Sequence, residues 1–143
     1  MAAIHFFSQD ISFKLAKPRI TRRWILDVIH REGKDLTHLN YIFCSDEYLL
    51  TINKQYLKHN TFTDIITFDH SEDKQLIEGD IFISVERVRS NAAELNTSFY
   101  DELHRVLIHG VLHLVGYKDK SAIQKAVMRK KEDAYLSLRN KTG

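Results

Sequence analysis

His109-Gly110-Val111-Leu112-His113-Leu114-Val115-Gly116-Tyr117-Lys118-Asp119 spaces three potential metal ligands across one helix and the turn that ends it. Leu103, Val106, Leu107, Ile108, Val111, Leu112, Leu114 and Val115 form an apolar run too long for an ordinary strand, which reads as a largely buried helix over about residues 100–115. On that helix His109 and His113 lie about 40° apart around the axis, so both imidazoles converge on one point. Gly116 suits the left-handed position past the helix end, where a Cβ would be penalised. The chain then turns back, and Asp119, six residues beyond His113, reaches the same point.

Neutral imidazole nitrogen and ionised carboxylate oxygen both bind zinc at roughly 2.0–2.2 Å, and three protein ligands leave a fourth position for water. An open position points to catalysis, because the metal lowers the pKa of its water to about 7. The spacing resembles the zincin motif, but the glutamate usual after the first histidine is Gly110, which argues against an ordinary metalloprotease. A bare His-x-x-x-His pair is often an accident. Two histidines inside an apolar run, followed by a turn glycine and a carboxylate, are more specific, since histidine is costly to bury without partners. His104 supplies a contrast: it projects about 140° away from His109 and is expected to be peripheral, outside the site.

A chain of 143 residues is expected to form one domain, residues 1–143, with a core that needs no disulfide. Its 43% hydrophobic and 28% charged residues are those of an ordinary globular protein. The single cysteine, Cys44, has no internal partner, is expected to pack in a strand, and favours a reducing cytoplasm. Asp10 follows a short apolar stretch without the signal-peptide pattern, and no run of about 18 apolar residues is present, so a cytoplasmic protein without a membrane span is expected. A net charge of +2 and a pI near 8.6 are compatible with nucleic acid without indicating it.

Ile4–Phe7 reads as a first strand, and Pro18 opens a helix through about Arg31 that Gly33 stops. Leu39–Cys44 is a strand, and Ser45-Asp46-Glu47 starts a helix through Tyr56. Asp64–Phe68 and Gly79–Ser84 are two further strands, joined by polar His70–Gln75 and able to pair as neighbours. Helices follow over about 86–95, 100–115 and 121–138, the last with Ser121 and Gln124 as a capping box. The expected class is α+β: a small mixed sheet of about four strands covered by about five helices, the metal-binding helix central.

Residues His109–Tyr117 closely resemble the YbeY-type endoribonuclease family of ribosomal RNA maturation factors. Tyr56 followed by Thr63-Asp64-Ile65-Ile66-Thr67-Phe68, and then Gly79-Asp80-Ile81-Phe82-Ile83-Ser84, resemble two further family segments in the family's order. The resemblance covers most of the chain. It implies a zinc-dependent, single-strand-specific endoribonuclease acting in maturation of small-subunit ribosomal RNA and in ribosome quality control, with single-stranded ribosomal RNA and the small subunit as partners. The residues by themselves reach only a hydrolytic metal site, in a cleft expected to be flanked by Lys54, Lys58, Lys118 and Lys120.

Two positions depart from the family pattern. Asp119 stands where the family usually carries a third histidine. His₂Asp adds a negative charge relative to His₃, which weakens the metal as a Lewis acid and raises the pKa of its water. Zinc remains the first choice, and the carboxylate also admits harder ions such as Mn²⁺. Leu57 stands where the family carries an arginine that contacts phosphate. Lys58 or His59 is the candidate replacement, though neither offers a bidentate fork. Asp64 is the candidate for handling the proton, since no glutamate follows His109. Two other classes stay open: a non-catalytic ribosome-assembly module with a structural metal, and a metallohydrolase of non-RNA substrates.

Overall fold

The computed structural model describes residues 3–142 and the side chains of residues 3–140. Its elements are β1 (Ala3–Ser8), α1 (Pro18–Arg31), β2 (Asp35–Cys44), α2 (Asp46–Tyr56), β3 (Ile65–Asp69), β4 (Leu76–Ser84), α3 (Val85–Glu94), α4 (Phe99–Val115) and α5 (Ala122–Thr142). One mixed sheet runs β1-β2-β4-β3, with β1 and β4 parallel to β2 and β3 antiparallel to β4. This is the expected α+β architecture, and the two strands expected to be neighbours are paired.

Strand residues alternate between the two faces of a sheet. Leu39, Tyr41 and Phe43 of β2 and Ile81 and Ile83 of β4 therefore share the face that packs on Trp24, Ile25 and Val28 of α1 and on Leu107, Ile108 and Val111 of α4. Each such side chain contributes about 1.5–3 kcal/mol on full burial. Two polar groups drawn into this core are partnered: the Tyr41 hydroxyl donates to the Leu107 carbonyl at 2.9 Å, and the Trp24 indole to the Tyr135 carbonyl at 2.8 Å, which ties α1 to α5. On the other face, α2 closes a smaller cluster of Cys44, Leu49, Ile52 and Ile66. Cys44 is buried at the end of its strand, and burial pushes its thiol pKa up to about 12.

Helix starts follow local chemistry. Ser45, Ser84 and Ser98 each accept a hydrogen bond from a backbone N–H of the first turn, and Ser121 and Gln124 form the expected reciprocal box. Boundaries differ where the hydrophobic pattern is silent. β2 and β4 begin at Asp35 and Leu76 rather than at residues 39 and 79, since the added residues pair with one another while polar Asp35, His38 and Glu78 interrupt the apolar alternation. Asp64 precedes β3, its carbonyl accepting the Ser84 N–H at 2.9 Å. α5 continues past Leu138 to Thr142.

Helix α4 lies directly on β3 and β4 because residue 110 has no side chain. A Cβ there would sit 2.9 Å from Ile81 Cδ1 and 3.0 Å from Ile65 Cδ1. No helix among the described residues is long and apolar enough to cross a membrane.

Candidate metal centre

Residue 110 meets the sheet, so its neighbour His109 and, one turn later, His113 emerge on the open side of α4. Gly116 ends the helix at φ 129°, outside the range comfortable for a side chain. Its N–H bonds back to the Leu112 and His113 carbonyls, and the Tyr117 N–H to Leu112. The chain is thereby reversed, and Asp119 returns over the two imidazoles.

The three ligand atoms form a nearly regular triangle. His109 Nε2 and His113 Nε2 are 3.0 Å apart, and Asp119 Oδ2 lies 3.3 Å from each. A tetrahedral ion with bonds of about 2.05 Å needs ligand atoms about 3.3 Å apart, so the spacing matches zinc coordination. Among the described residues this is the one group of three such side chains that converges. Their side chains are 21%, 26% and 38% exposed, so the point they share is open to solvent on one side.

Partners of the other ring nitrogens fix the tautomers. His113 Nδ1 lies 3.0 Å from the Tyr117 carbonyl, which can only accept, so Nδ1 carries the proton and Nε2 presents its lone pair. His109 Nδ1 likewise donates to Glu132 Oε2 at 2.6 Å. Glu132 is buried on α5, and Arg105 donates to its second oxygen at 2.9 Å. Burial acts to raise the Glu132 pKa, but the bonds from His109 and Arg105 prevail and hold it below the usual carboxylate range. Three acceptor atoms then face one another with no hydrogen between them, an arrangement that calls for a cation. Burial acts to lower the His109 pKa, yet Glu132, Asp119 and Asp64 together raise it, and that same field favours a positive ion.

The turn carrying Asp119 is anchored from beneath. Glu32, past the end of α1 and 7% exposed in its side chain, accepts hydrogen bonds from the Tyr117 hydroxyl at 2.6 Å, from Lys131 at 3.1 Å and from the Tyr135 hydroxyl. Burial would raise the Glu32 pKa, but these three partners keep it low and charged.

The triad opens into a cleft of about 440 Å³. Leu57, His59, Phe62, Thr63, Asp64 and Thr67 line it from the α2–β3 side. Asp64 is therefore close to the centre, and its pKa is raised by burial against the opposing pull of His109 and Arg87. His59 lines the cleft, whereas Lys54, Lys58, Lys118 and Lys120 are not among its lining residues. Lys58 is exposed on the same loop with a left-handed backbone, φ 57°. A second hollow of similar size, about 450 Å³ between α4 and α5, holds Asp101, Arg105 and Asp133 but not the metal triad.

His104 lies outside the site, as expected, yet it is not peripheral. Its ring packs against Trp24 and Tyr100 with Nε2 buried, and burial pushes its pKa down to about 4. Glu132, Arg105 and Glu32 were not anticipated as supports of the centre. Arg105 precedes His109 by one helical turn, so a polar stripe through Glu102, Arg105, His109 and His113 was a readable signal. Glu132 and Glu32 carry none, being far from the motif in sequence.

An α+β domain that presents two imidazoles and a carboxylate at an open cleft has the makings of a metal-dependent hydrolase. The family described as Endoribonuclease YbeY matches residues 4–140, and the chain belongs to that family. A Cytophaga hutchinsonii protein named Endoribonuclease YbeY is 54% identical over 136 residues, covering 95% of each chain. A Porphyromonas gingivalis protein of the same name is 45% identical over 142 residues, covering 99% of this chain and 93% of its own. The solution structure of a Thermotoga maritima protein superimposes with a TM-score of 0.68 at 26% identity, covering 96% of this chain and 89% of that one.

Proposed function

We propose that this chain is a zinc-dependent endoribonuclease that cuts single-stranded RNA and serves the maturation and quality control of the small ribosomal subunit in the cytoplasm. The observation that supports it most is the triangle of His109, His113 and Asp119 facing an open cleft. Those three side chains would hold the ion, zinc first by its two imidazoles and Mn²⁺ by tolerance of the carboxylate. When bound, the ion supplies a water of lowered pKa and a Lewis acid for a phosphoryl oxygen.

The remaining work falls to the chain. Glu132 and the Tyr117 carbonyl hold both imidazoles in the ligating tautomer. Asp64 accepts the proton of the attacking water or hydroxyl, its proton affinity raised by burial. His59 inside the cleft and Lys58 beside it on the loop neutralise the phosphate, Leu57 being unable to. The names of the relatives support RNA as the substrate, and the sequence resemblance supports single-stranded ribosomal RNA in particular.

The test is cleavage of a single-stranded oligoribonucleotide by zinc-loaded protein beside His113→Ala. The variant is expected to lose both zinc and cleavage, and full cutting by metal-free His113→Ala protein would sink the mechanism. Zinc that stabilises the protein while RNA stays intact would indicate a structural metal instead. A peptide assay in parallel is expected to stay blank.

A further inference from the structure

Phe62 is half exposed, at 50%, and lines the same cleft as the metal triad. A single exposed apolar side chain signifies little, but this ring shares the lining of the cleft with exposed Leu57 and the metal triad. One face of the ring is already occupied. The Arg87 guanidinium carbon lies 5.2 Å from the ring centroid, and Arg87 is itself pinned by Asp46 through contacts of 2.6 and 3.3 Å. Asp46 in turn accepts from the Ser84 hydroxyl at 3.1 Å.

The loop bearing the ring is also held. Asn53, buried in α2, donates from its amide to the Thr61 carbonyl at 2.8 Å and accepts the His59 N–H on its own carbonyl at 3.1 Å. The ring therefore stands on a prepared support, and little ordering entropy is left to lose on binding. Beside it Leu57, 43% exposed, continues the wall without charge. This wall suits the flat face of a base better than a phosphate.

We propose that Phe62, backed by Arg87, is a stacking platform for an unpaired nucleobase next to the metal centre. The inference rests on the nuclease reading above and names part of its specificity. Every base has a π-face, so the platform is tolerant of sequence. It accepts only a base free of its partner, so it selects single strands over duplex.

The test uses zinc-loaded protein and cleavage kinetics on a single-stranded oligoribonucleotide. Phe62→Leu is expected to raise KM by about 5- to 100-fold, as loss of one aromatic–base stack does, while kcat stays within about twofold. Phe62→Tyr keeps the wild-type KM. The dependence of KM on salt keeps its slope, because no phosphate contact is removed. An abasic nucleotide walked along the RNA is expected to weaken the wild type at one position by a similar factor and to leave Phe62→Leu indifferent there.

Unchanged KM in Phe62→Leu, or abasic profiles that coincide for the two proteins, would overturn the platform. Melting temperatures within about 2 °C of each other exclude a folding defect, as expected for a half-exposed side chain. A wild type that cuts no single-stranded RNA refutes the nuclease reading instead, and the platform is then judged by fluorescence anisotropy. Equal affinity of wild type and Phe62→Leu for the oligonucleotide in that assay rejects it.

Discussion

Replacing Glu132 by glutamine isolates the support of the first imidazole. The carboxylate accepts from His109 Nδ1 at 2.6 Å on one oxygen and from Arg105 at 2.9 Å on the other. Glutamine keeps the shape but has a single acceptor. If its oxygen faces His109, its NH₂ meets the Arg105 guanidinium, donor against donor. If it is flipped, the NH₂ faces Nδ1, which must then give up its proton and move it to Nε2, the atom needed by the metal.

Both arrangements weaken the centre. Loss of such an outer partner typically lowers metal affinity by about 10- to 100-fold, equivalent to about 1.4–2.7 kcal/mol. Competition with a chromophoric chelator at fixed pH measures the zinc Kd directly. Adding Arg105→Met to Glu132→Gln removes the competing donor, lets the amide oxygen settle on His109, and is expected to recover part of the loss. Zinc binding by Glu132→Gln within twofold of wild type would refute the tautomer argument.

Two further outcomes follow from buried positions. His104 is held near pKa 4 by burial, aided by the Arg139 charge, against an ordinary 6.5. The unfolded chain therefore binds more protons between those values, and stability present in full above about pH 6.5 is lost as the pH falls toward 4. For this partly exposed ring the loss is about 2–3 kcal/mol, and the difference in urea midpoint between wild type and His104→Phe across that range reads it; parallel pH curves would contradict it. Gly110→Glu would push a carboxylate among Ile81 and Ile65 rather than toward the metal, costing more than about 3 kcal/mol without conferring peptidase activity. A variant with a wild-type urea midpoint would show that α4 does not need its close seat on the sheet.

Helix α4 and the meeting of its two histidines were legible in the sequence because their signals are local: a 3.6-residue apolar period, a glycine where the helix stops, and two imidazoles one turn apart. The serine caps were legible for the same reason. Gly110 was read as a missing catalytic glutamate, whereas it is the point at which α4 touches β3 and β4. Only the packed sheet reveals that. The early starts of β2 and β4 escaped because Asp35, His38 and Glu78 break the alternation while still pairing. Glu132 and Glu32 escaped because each acts across more than one element, and a charged residue on an amphipathic helix looks solvated until its partners arrive. Lys54, Lys58, Lys118 and Lys120, expected to flank the cleft, are not among its lining residues, and proximity in sequence to a candidate ligand says nothing of which way a flexible side chain faces.

Glu32 lends the architecture a mechanical character. One buried anion joins the end of the first helix, the reversal after the fourth and the middle of the fifth through Tyr117, Tyr135 and Lys131. None of the three can loosen without leaving charge or hydroxyl groups unpaired in the others, so they form a single cooperative unit. Asp119 is thus carried on a clamped arm rather than a free loop, and an ion bound at its tip would stiffen the first helix as well.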